Sequence, residues 1–427
     1  MEKDIKKTVL SNGIRVLSLP LASRRGAAVG VWIDAGSRDD PAGKAGLSHL
    51  AEHMSFKGTP TRSALDIARE LESISASEDG YTSQEETCYY LYLPGEEIGR
   101  GMEILGDMVS HAAIDAKLFE RELSVVASEM SDVEDTPSEI ARDYFATAIF
   151  GDHSLGKPIL GYPSTLKAIC RDDVASFVKG HYVAPRIILA AVGNIDHEEF
   201  CDLTTRFFDV SGEGLPKDRI APAPTPTGKL HLIEKKTSQL SIYLGGRAYR
   251  FDDPRRYSLA VFDTILGRGA SSLLFNRLRE EEGIGYRIFS FEEYFGDCGL
   301  WGIYANLDPT DFERFFGIVD SIFDDIVEGR AVNERFEETI RGLTGMAKLE
   351  GDSISQLLTR LVETELYCGR YISPEETLFK LASIRPADVI ETARELLDRR
   401  KITGVYYGKS KSRTFPEWLA PVKGELA

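Results

Sequence analysis

Cysteine is scarce in this chain. There are five in 427 residues (Cys88, Cys170, Cys201, Cys298 and Cys368), odd in number, widely spaced and without a CxxC pair. Such a set excludes a disulfide framework and a cysteine-based zinc site. Long hydrophobic runs are also missing, since none approaches the ~18 residues of a membrane span. Basic charge is short too: 51 Lys+Arg face 68 Asp+Glu, a formal net charge of −17. Nucleic-acid binding needs a basic face, so nucleic acid is excluded as a partner. The N-terminal MEKDIKKTVLSNG carries charges where a signal peptide needs an apolar stretch. Together these absences predict a soluble, reduced, cytoplasmic protein with no membrane partner.

Core material is plentiful, with 42% hydrophobic and 28% charged residues, the balance of a globular protein. The length accommodates two large domains. The clearest boundary is IAPAPTPTG at Ile220–Gly228, whose alternating prolines favour an extended connector. It predicts a domain over 1–215, a linker over 216–228 and a domain over 229–427. Each half starts with strand patterning and then turns helical. Val9–Leu19 holds the hairpin signal Asn12-Gly13, and Ala27–Ile33 follows as a strand. Lys229–Ile233 and Leu240–Leu244 read as strands before a helix over Tyr257–Leu266. An Asp-Asp-Pro loop precedes the first helix of each half, at 39–41 and 252–254, a sign of duplication that common turn chemistry explains equally well. Strands mixed with long amphipathic helices predict α+β domains.

The chemistry concentrates in His49-Leu50-Ala51-Glu52-His53. Residues i and i+4 share a helix face, so His49 and His53 can aim two imidazoles at one point, with Glu52 on the same side. Two neutral imidazoles suit zinc, and an adjacent carboxylate can take a proton from a metal-bound water. The order HxxEH is the inverted zincin motif. With seven histidines in the chain, composition predicts only about 0.02 chance occurrences of this pattern. A catalytic zinc needs a third protein ligand. FERELSVVASEM (119–130) reads as a helix with Leu118, Val125 and Val126 available to the core, and it places Glu122 and Glu129 two turns apart on one face. One can reach the metal while the other stands behind it, although a solvated Glu-rich helix explains the spacing as well.

These residues carry a resemblance. GLSHLAEHMSFKGT (46–59) is similar to the zinc segment of the pitrilysin–insulinase–mitochondrial processing peptidase family, and the chain resembles a short two-domain bacterial-type member. In that family the third ligand follows the second histidine by about 76 residues, which selects Glu129; FERELSVVASEM resembles the third-ligand helix, with Glu122 at its second acidic position. YTSQEETCYY (81–90), HSLGKPILGYPSTLKAI (153–169) and HYVAPRIILAAVGNIDHEE (181–199) resemble further family segments. GRGASSLLFNRLREEEGIGY (267–286) resembles the substrate-facing segment, with Arg279 and Tyr286 as its Arg/Tyr pair. The resemblance implies two related α+β domains, each a mainly antiparallel sheet packed against helices. It implies one Zn²⁺ per chain on His49, His53 and Glu129, and Glu52 as general base, with Glu122, Arg279 and Tyr286 in the catalytic set. It further implies a peptide lying along a strand over 79–87, with Asp79, Gly80, Tyr81, Thr82, Arg279 and Tyr286 as substrate contacts. The chain departs from the family at Asp79-Gly80, where Asn-Ala is usual. Because the zinc motif and the Arg/Tyr pair belong to different halves, a homodimer sharing sites is expected, with a heterodimer containing a zinc-less homologue as the other arrangement. The expected activity is hydrolysis of peptides or unfolded segments within a closed chamber. The competing reading is a non-catalytic peptide-binding or assembly subunit.

Other signals carry less. Gly267-Arg268-Gly269 lacks the ending of a phosphate loop and reads as a flexible helix entry. His111, His153, His181, His197 and His231 read as structural or exposed, and Glu280–Glu282 as a solvated helix end.

Overall fold

The computed structural model describes residues 5–210, 212–214, 219–225, 227–409 and 414–423. They form two compact units. The first draws on residues up to Ser131, on Lys157–Ile220 and on Leu349–Ser373; the second on Asp132–Gly156, Ala221–Lys348 and the residues from Pro374 on. The single boundary expected at 216–228 therefore needs correction, because each half of the sequence also lends a helix to the other half's unit. Linker residues 216–218 and 226 lie outside the described residues. The described remainder of 219–228 contains neither helix nor strand.

The first unit is built on a six-stranded sheet of β1 (Lys6–Val9), β2 (Arg15–Pro20), β3 (Gly26–Ile33), β4 (Ser77–Thr82), β5 (Thr87–Pro94) and β6 (Ile187–Gly193), in the order β1-β2-β6-β3-β5-β4. The β2–β6 pair is parallel and the other pairs are antiparallel. β1 and β2 form the hairpin expected around Asn12-Gly13. β3 is apolar almost throughout because both of its faces are covered. Val29, Val31 and Ile33 pack with Leu47, Leu50 and Met54 of the helix Leu47–Ser55, whereas Ala28 and Trp32 pack with Leu357, Leu358 and Leu361 of the helix Ile354–Cys368.

Helix Leu47–Ser55 carries the HxxEH motif, and its start is fixed from outside. Its N-cap, Gly46, has φ +97° and no side chain to offer. A Cβ there would also meet the Leu160 carbonyl at 2.4 Å. The orphan backbone donors go instead to Asp40, whose two carboxylate oxygens accept from the N–H groups of Gly46 and Ser48 at 2.8 Å each. The loop before Asp40 is itself pinned by buried charge pairs. Arg38 meets Glu85 at 2.6 Å, and Arg219 reaches Asp34 at 2.9 Å and Asp39 at 2.6 Å.

β4 is the free edge on the β5 side of the sheet. The strand expected over 79–87 ends at Thr82; residues 83–86 turn the chain, and β5 begins at Thr87. Behind the edge, Trp32 Nε1 donates to the Tyr81 hydroxyl at 3.2 Å, and that hydroxyl donates to Glu86 Oε1 at 2.8 Å. Burial pushes the Glu86 carboxyl up to about 7; the Tyr81 bond opposes the rise, while Glu363, Asp34 and Glu85 add to it.

The second unit repeats the plan. β7 (Lys229–Ile233), β8 (Leu240–Ala248), β9 (Arg287–Tyr294), β10 (Gly299–Leu307), β11 (Thr403–Tyr407) and β12 (Ala420–Lys423) are ordered β12-β7-β11-β8-β10-β9. Taken in chain order, β2 to β6 and β7 to β11 have the same neighbours and the same pairing directions, which establishes the internal similarity that the Asp-Asp-Pro loops only hinted at. One face is covered by the helix Pro137–Phe150, through Ala141, Phe145 and Ile149 against Tyr243, Tyr304 and Val405. The other packs against Arg256–Leu266 and Phe312–Val327. No described helix is long and apolar enough to cross a membrane.

Two outcomes follow from these contacts. Asp40→Ala removes the cap of the motif helix and should lower unfolding free energy by about 1–2 kcal/mol in urea titrations. Glu86 has a folded pKa raised above the ordinary 4.5, so the folded state holds the extra proton between these values and the stability it contributes is lost as pH rises toward 7. Glu86→Gln lacks that loss. Its stability relative to the parent should climb from pH 4.5 to about 7 and then level off; a flat difference across that window would contradict the assignment.

Candidate metal centre

The structure brings His49, His53 and Glu129 together, with one ligand atom from each lying within 4.8 Å of the others; it is the only such group found among the described residues. The imidazole centroids are 4.5 Å apart with planes inclined at 57°. Glu129 comes from the helix Ala116–Glu134. That helix buries Phe119, Glu122, Val126 and Met130, while Val125, expected in the core, is 42% exposed. Glu129 Oε2 stands 3.7 Å from His53 Nε2 and 4.0 Å from His49 Nε2.

The donor set fits a divalent cation. Among the described residues the buried Glu129 Oε2 has no hydrogen-bond partner, although its side chain is 38% exposed overall. A carboxylate oxygen left without a donor is costly; a cation between it and the imidazoles removes that cost. Burial, with His53 adding to it, lowers the His49 pKa to about 4, so this imidazole is neutral at pH 7, the form that ligates. Two imidazoles and a carboxylate, partly open on the Glu129 side, make the three-ligand arrangement of a catalytic zinc.

Glu122 is not among the converging groups. Its Oε2 accepts from His53 Nδ1 at 3.1 Å, and its Oε1 lies 3.0 Å from Lys57 Nζ. Glu122 thus stands behind His53, where an acceptor at Nδ1 would direct the Nε2 lone pair toward Glu129. Glu52 is buried and accepts from the Thr82 hydroxyl at 3.2 Å. Burial raises its pKa; the His53 charge and the Thr82 bond oppose the rise, and Glu129 and Asp79 reinforce it. Thr82, expected only as a substrate contact, therefore also holds the carboxylate at the motif's centre. Sequence reasoning missed Lys57 and Asp40; the His53-to-Lys57 spacing of four was a signal available for the first.

Of the other expected substrate contacts, Asp79 is exposed on β4, with Oδ1 accepting from the Gly80 N–H at 2.8 Å and Oδ2 from the Tyr90 hydroxyl at 3.0 Å. The Gly80 departure has a physical reason. A Cβ there would meet the Phe56 ring at 2.9 Å and the Cys88 carbonyl at 3.1 Å, so the ring at the end of the motif helix fills the space an alanine would take. Tyr81 faces the opposite way, toward Trp32 and Glu86. Arg279 and Tyr286 belong to the second unit and sit together. The Arg279 guanidinium lies 4.9 Å from the Tyr286 ring and 4.8 Å from the Phe275 ring, and Tyr286 is 75% exposed. Arg279 sits in a π-helical stretch, Phe275–Glu281, a distortion frequent at functional sites.

Comparison with known proteins points to one family. Residues 15–162 match the family described as Insulinase (Peptidase family M16), and residues 168–343 match the Peptidase M16 inactive domain. An uncharacterized zinc protease of Streptomyces coelicolor is 32% identical over 96% of this chain and 91% of its own length. An uncharacterized zinc protease of Mycobacterium tuberculosis is 31% identical over 98% and 97%. Among solved structures, a protease from Helicobacter pylori covers 95% of this chain and 99% of its own at 17% identity, with a TM-score of 0.88. A peptidase M16 inactive domain from Pseudomonas fluorescens covers 97% and 100% at 18% identity, also with a TM-score of 0.88. These two share the fold, two α+β units of the kind described above, while the sequence matches define the kinship: the chain belongs to the insulinase family of peptidases, family M16.

Proposed function

We propose that the chain is a zinc-dependent endopeptidase acting on peptides or unfolded segments. The observation that carries this reading is the buried, donorless Glu129 Oε2 facing the Nε2 atoms of His49 and His53. His49, His53 and Glu129 would hold one zinc per chain. When bound, zinc supplies Lewis acidity toward a carbonyl oxygen and lowers the pKa of a coordinated water to about 7. Glu52, steadied by Thr82, takes the proton of the attacking water and delivers it to the leaving amine as the C–N bond breaks. β4 offers the unpaired backbone groups of an edge strand, which suits an extended peptide added as a further strand. Asp79, Gly80, Tyr81 and Thr82 then lie along the peptide.

Arg279 and Tyr286 supply donors for the substrate carbonyl and the charge that develops on it. They are contributed by the partner in a homodimer, whose closed chamber admits chains without folded structure. Edge pairing reads backbone more than side chain, which fits peptide turnover in the cytoplasm.

Purified protein should contain about one zinc per chain, and His49→Ala or His53→Ala should lose most of it in elemental analysis. Glu52→Gln should keep the metal while kcat/KM for peptide cleavage falls by about 10²–10⁴-fold; unchanged cleavage in a zinc-loaded Glu52→Gln protein would falsify the base assignment. Site sharing predicts complementation. Mixing Glu52→Gln chains with Arg279→Ala chains should recover activity that neither has alone, and a mixture as inactive as its parts rules out the shared site.

A further inference from the structure

We propose that Lys57 is a positioning residue of the metal centre, acting through Glu122 to fix the direction of His53. The inference rests on the zinc reading above and adds to it a residue outside the ligand set and the proton-transfer pair.

Lys57 Nζ lies 3.0 Å from Glu122 Oε1, and Glu122 Oε2 accepts from His53 Nδ1 at 3.1 Å. Both oxygens of one carboxylate are thus engaged, one by the ring and one by the ammonium. The Glu122 side chain is only 7% exposed and that of Lys57 32%, so the pair is not a solvated surface ion pair, the kind that contributes little. The terminal torsion of a glutamate is broad. A carboxylate held at one oxygen can turn, and the acceptor it offers to Nδ1 turns with it. Held at both oxygens, its plane is set. A set acceptor keeps the proton on Nδ1 and leaves the Nε2 lone pair pointing toward Glu129.

Lys57 is well placed to do this. It follows the end of the motif helix, where its backbone N–H donates to the Met54 carbonyl at 3.2 Å, and a cation is favoured at a helix C-terminus. Glu122 and Glu129 project from the same helix, Ala116–Glu134. The Lys57–Glu122 contact therefore also ties the histidine helix to the helix that supplies the third ligand. Without Lys57, Glu122 would be a buried carboxylate with one oxygen lacking its counter-charge.

The test uses the full chain and zinc itself. Zinc affinity is measured by chelator competition for the parent, Lys57→Met, Lys57→Arg, Glu122→Gln and the Lys57→Met/Glu122→Gln double variant, with melting of each metal-free protein alongside. Measured below the melting range of the metal-free protein, which itself falls as the buried Glu122 carboxylate loses its counter-charge, Lys57→Met should weaken zinc binding about 10-fold, the low end of the 10–100-fold range for outer partners of metal ligands. Lys57→Arg should retain parental affinity. In the Glu122→Gln background the Lys57 change should have no further effect. Nitrogen NMR of the metal-free proteins should show His53 protonated at Nδ1 in the parent and mixed tautomers in Lys57→Met.

Three results overturn the proposal: undiminished zinc affinity in Lys57→Met, a loss of equal size in the Glu122→Gln background, or a loss with the His53 tautomer unchanged from the parent. If Lys57→Met does not fold, Lys57→Gln replaces it in the same comparison. A parent that takes up no zinc removes the metal reading itself, whereas a zinc-binding parent with an indifferent Lys57 removes only the positioning role.

Discussion

A carboxylate oxygen buried beside two imidazoles, with no donor of its own, is the constraint on which the rest of this centre depends. Leaving such an oxygen unpaired costs on the order of 1–3 kcal/mol or more, and the fold spends further contacts to keep it there. Asp40 fixes the start of the motif helix, and Phe56 fills the space at its far end against Gly80. Glu122 reaches across from the third-ligand helix to His53, and the Thr82 hydroxyl reaches from the edge strand to Glu52. Between them these contacts restrain helix placement, ring orientation and carboxylate direction. Preorganisation of this kind lets groups distant in sequence act as one site.

Much of this was legible in the residues. HxxEH declared its own geometry, because helical spacing alone puts His49 and His53 on one face. The strands over Lys229–Ile233 and Ala27–Ile33 and the helix ending at Leu266 were readable from patterning within one element. Glu129 needed the family spacing, since nothing local separates it from Glu122; tertiary packing makes one a facing group and sends the other behind a ring. The strand expected over 79–87 was too long because the edge and its neighbour are joined by a short turn of polar residues that carry no Gly or Pro signal. The domain boundary was also misjudged. Helices Pro137–Phe150 and Ile354–Cys368 are amphipathic segments like any other, and their sequences do not name the sheet they cover. Val125 faces solvent for a similar reason: an apolar residue one step off the buried stripe looks the same in a sequence as one on it.

The repeated sheet sharpens what is special about the first unit. In both units a helix follows the central strand, β3 or β8, and an edge strand, β4 or β9, lies beyond β5 or β10. In the first unit that helix presents imidazoles. In the second, the helix Arg256–Leu266 presents Asp263, which meets Arg268 at 3.0 Å, and Arg268 also pairs with Glu292 of the edge strand. Burial, followed by the nearby Asp263, drives the Glu292 carboxyl up to about 9. The acidic groups there are answered by a guanidinium belonging to the chain, a partner that cannot be released and cannot polarise a substrate as a metal ion does. One scaffold has thus resolved the same electrostatic problem in two ways. In the second unit Arg268 bridges Asp263 and Glu292 Oε1, although Glu292 Oε2 is itself buried without a hydrogen-bond partner among the described residues. In the first unit the His49 imidazole is neutral at pH 7 and the Glu129 Oε2 beside it has no hydrogen-bond partner among the described residues, an arrangement that suits a cation supplied from outside.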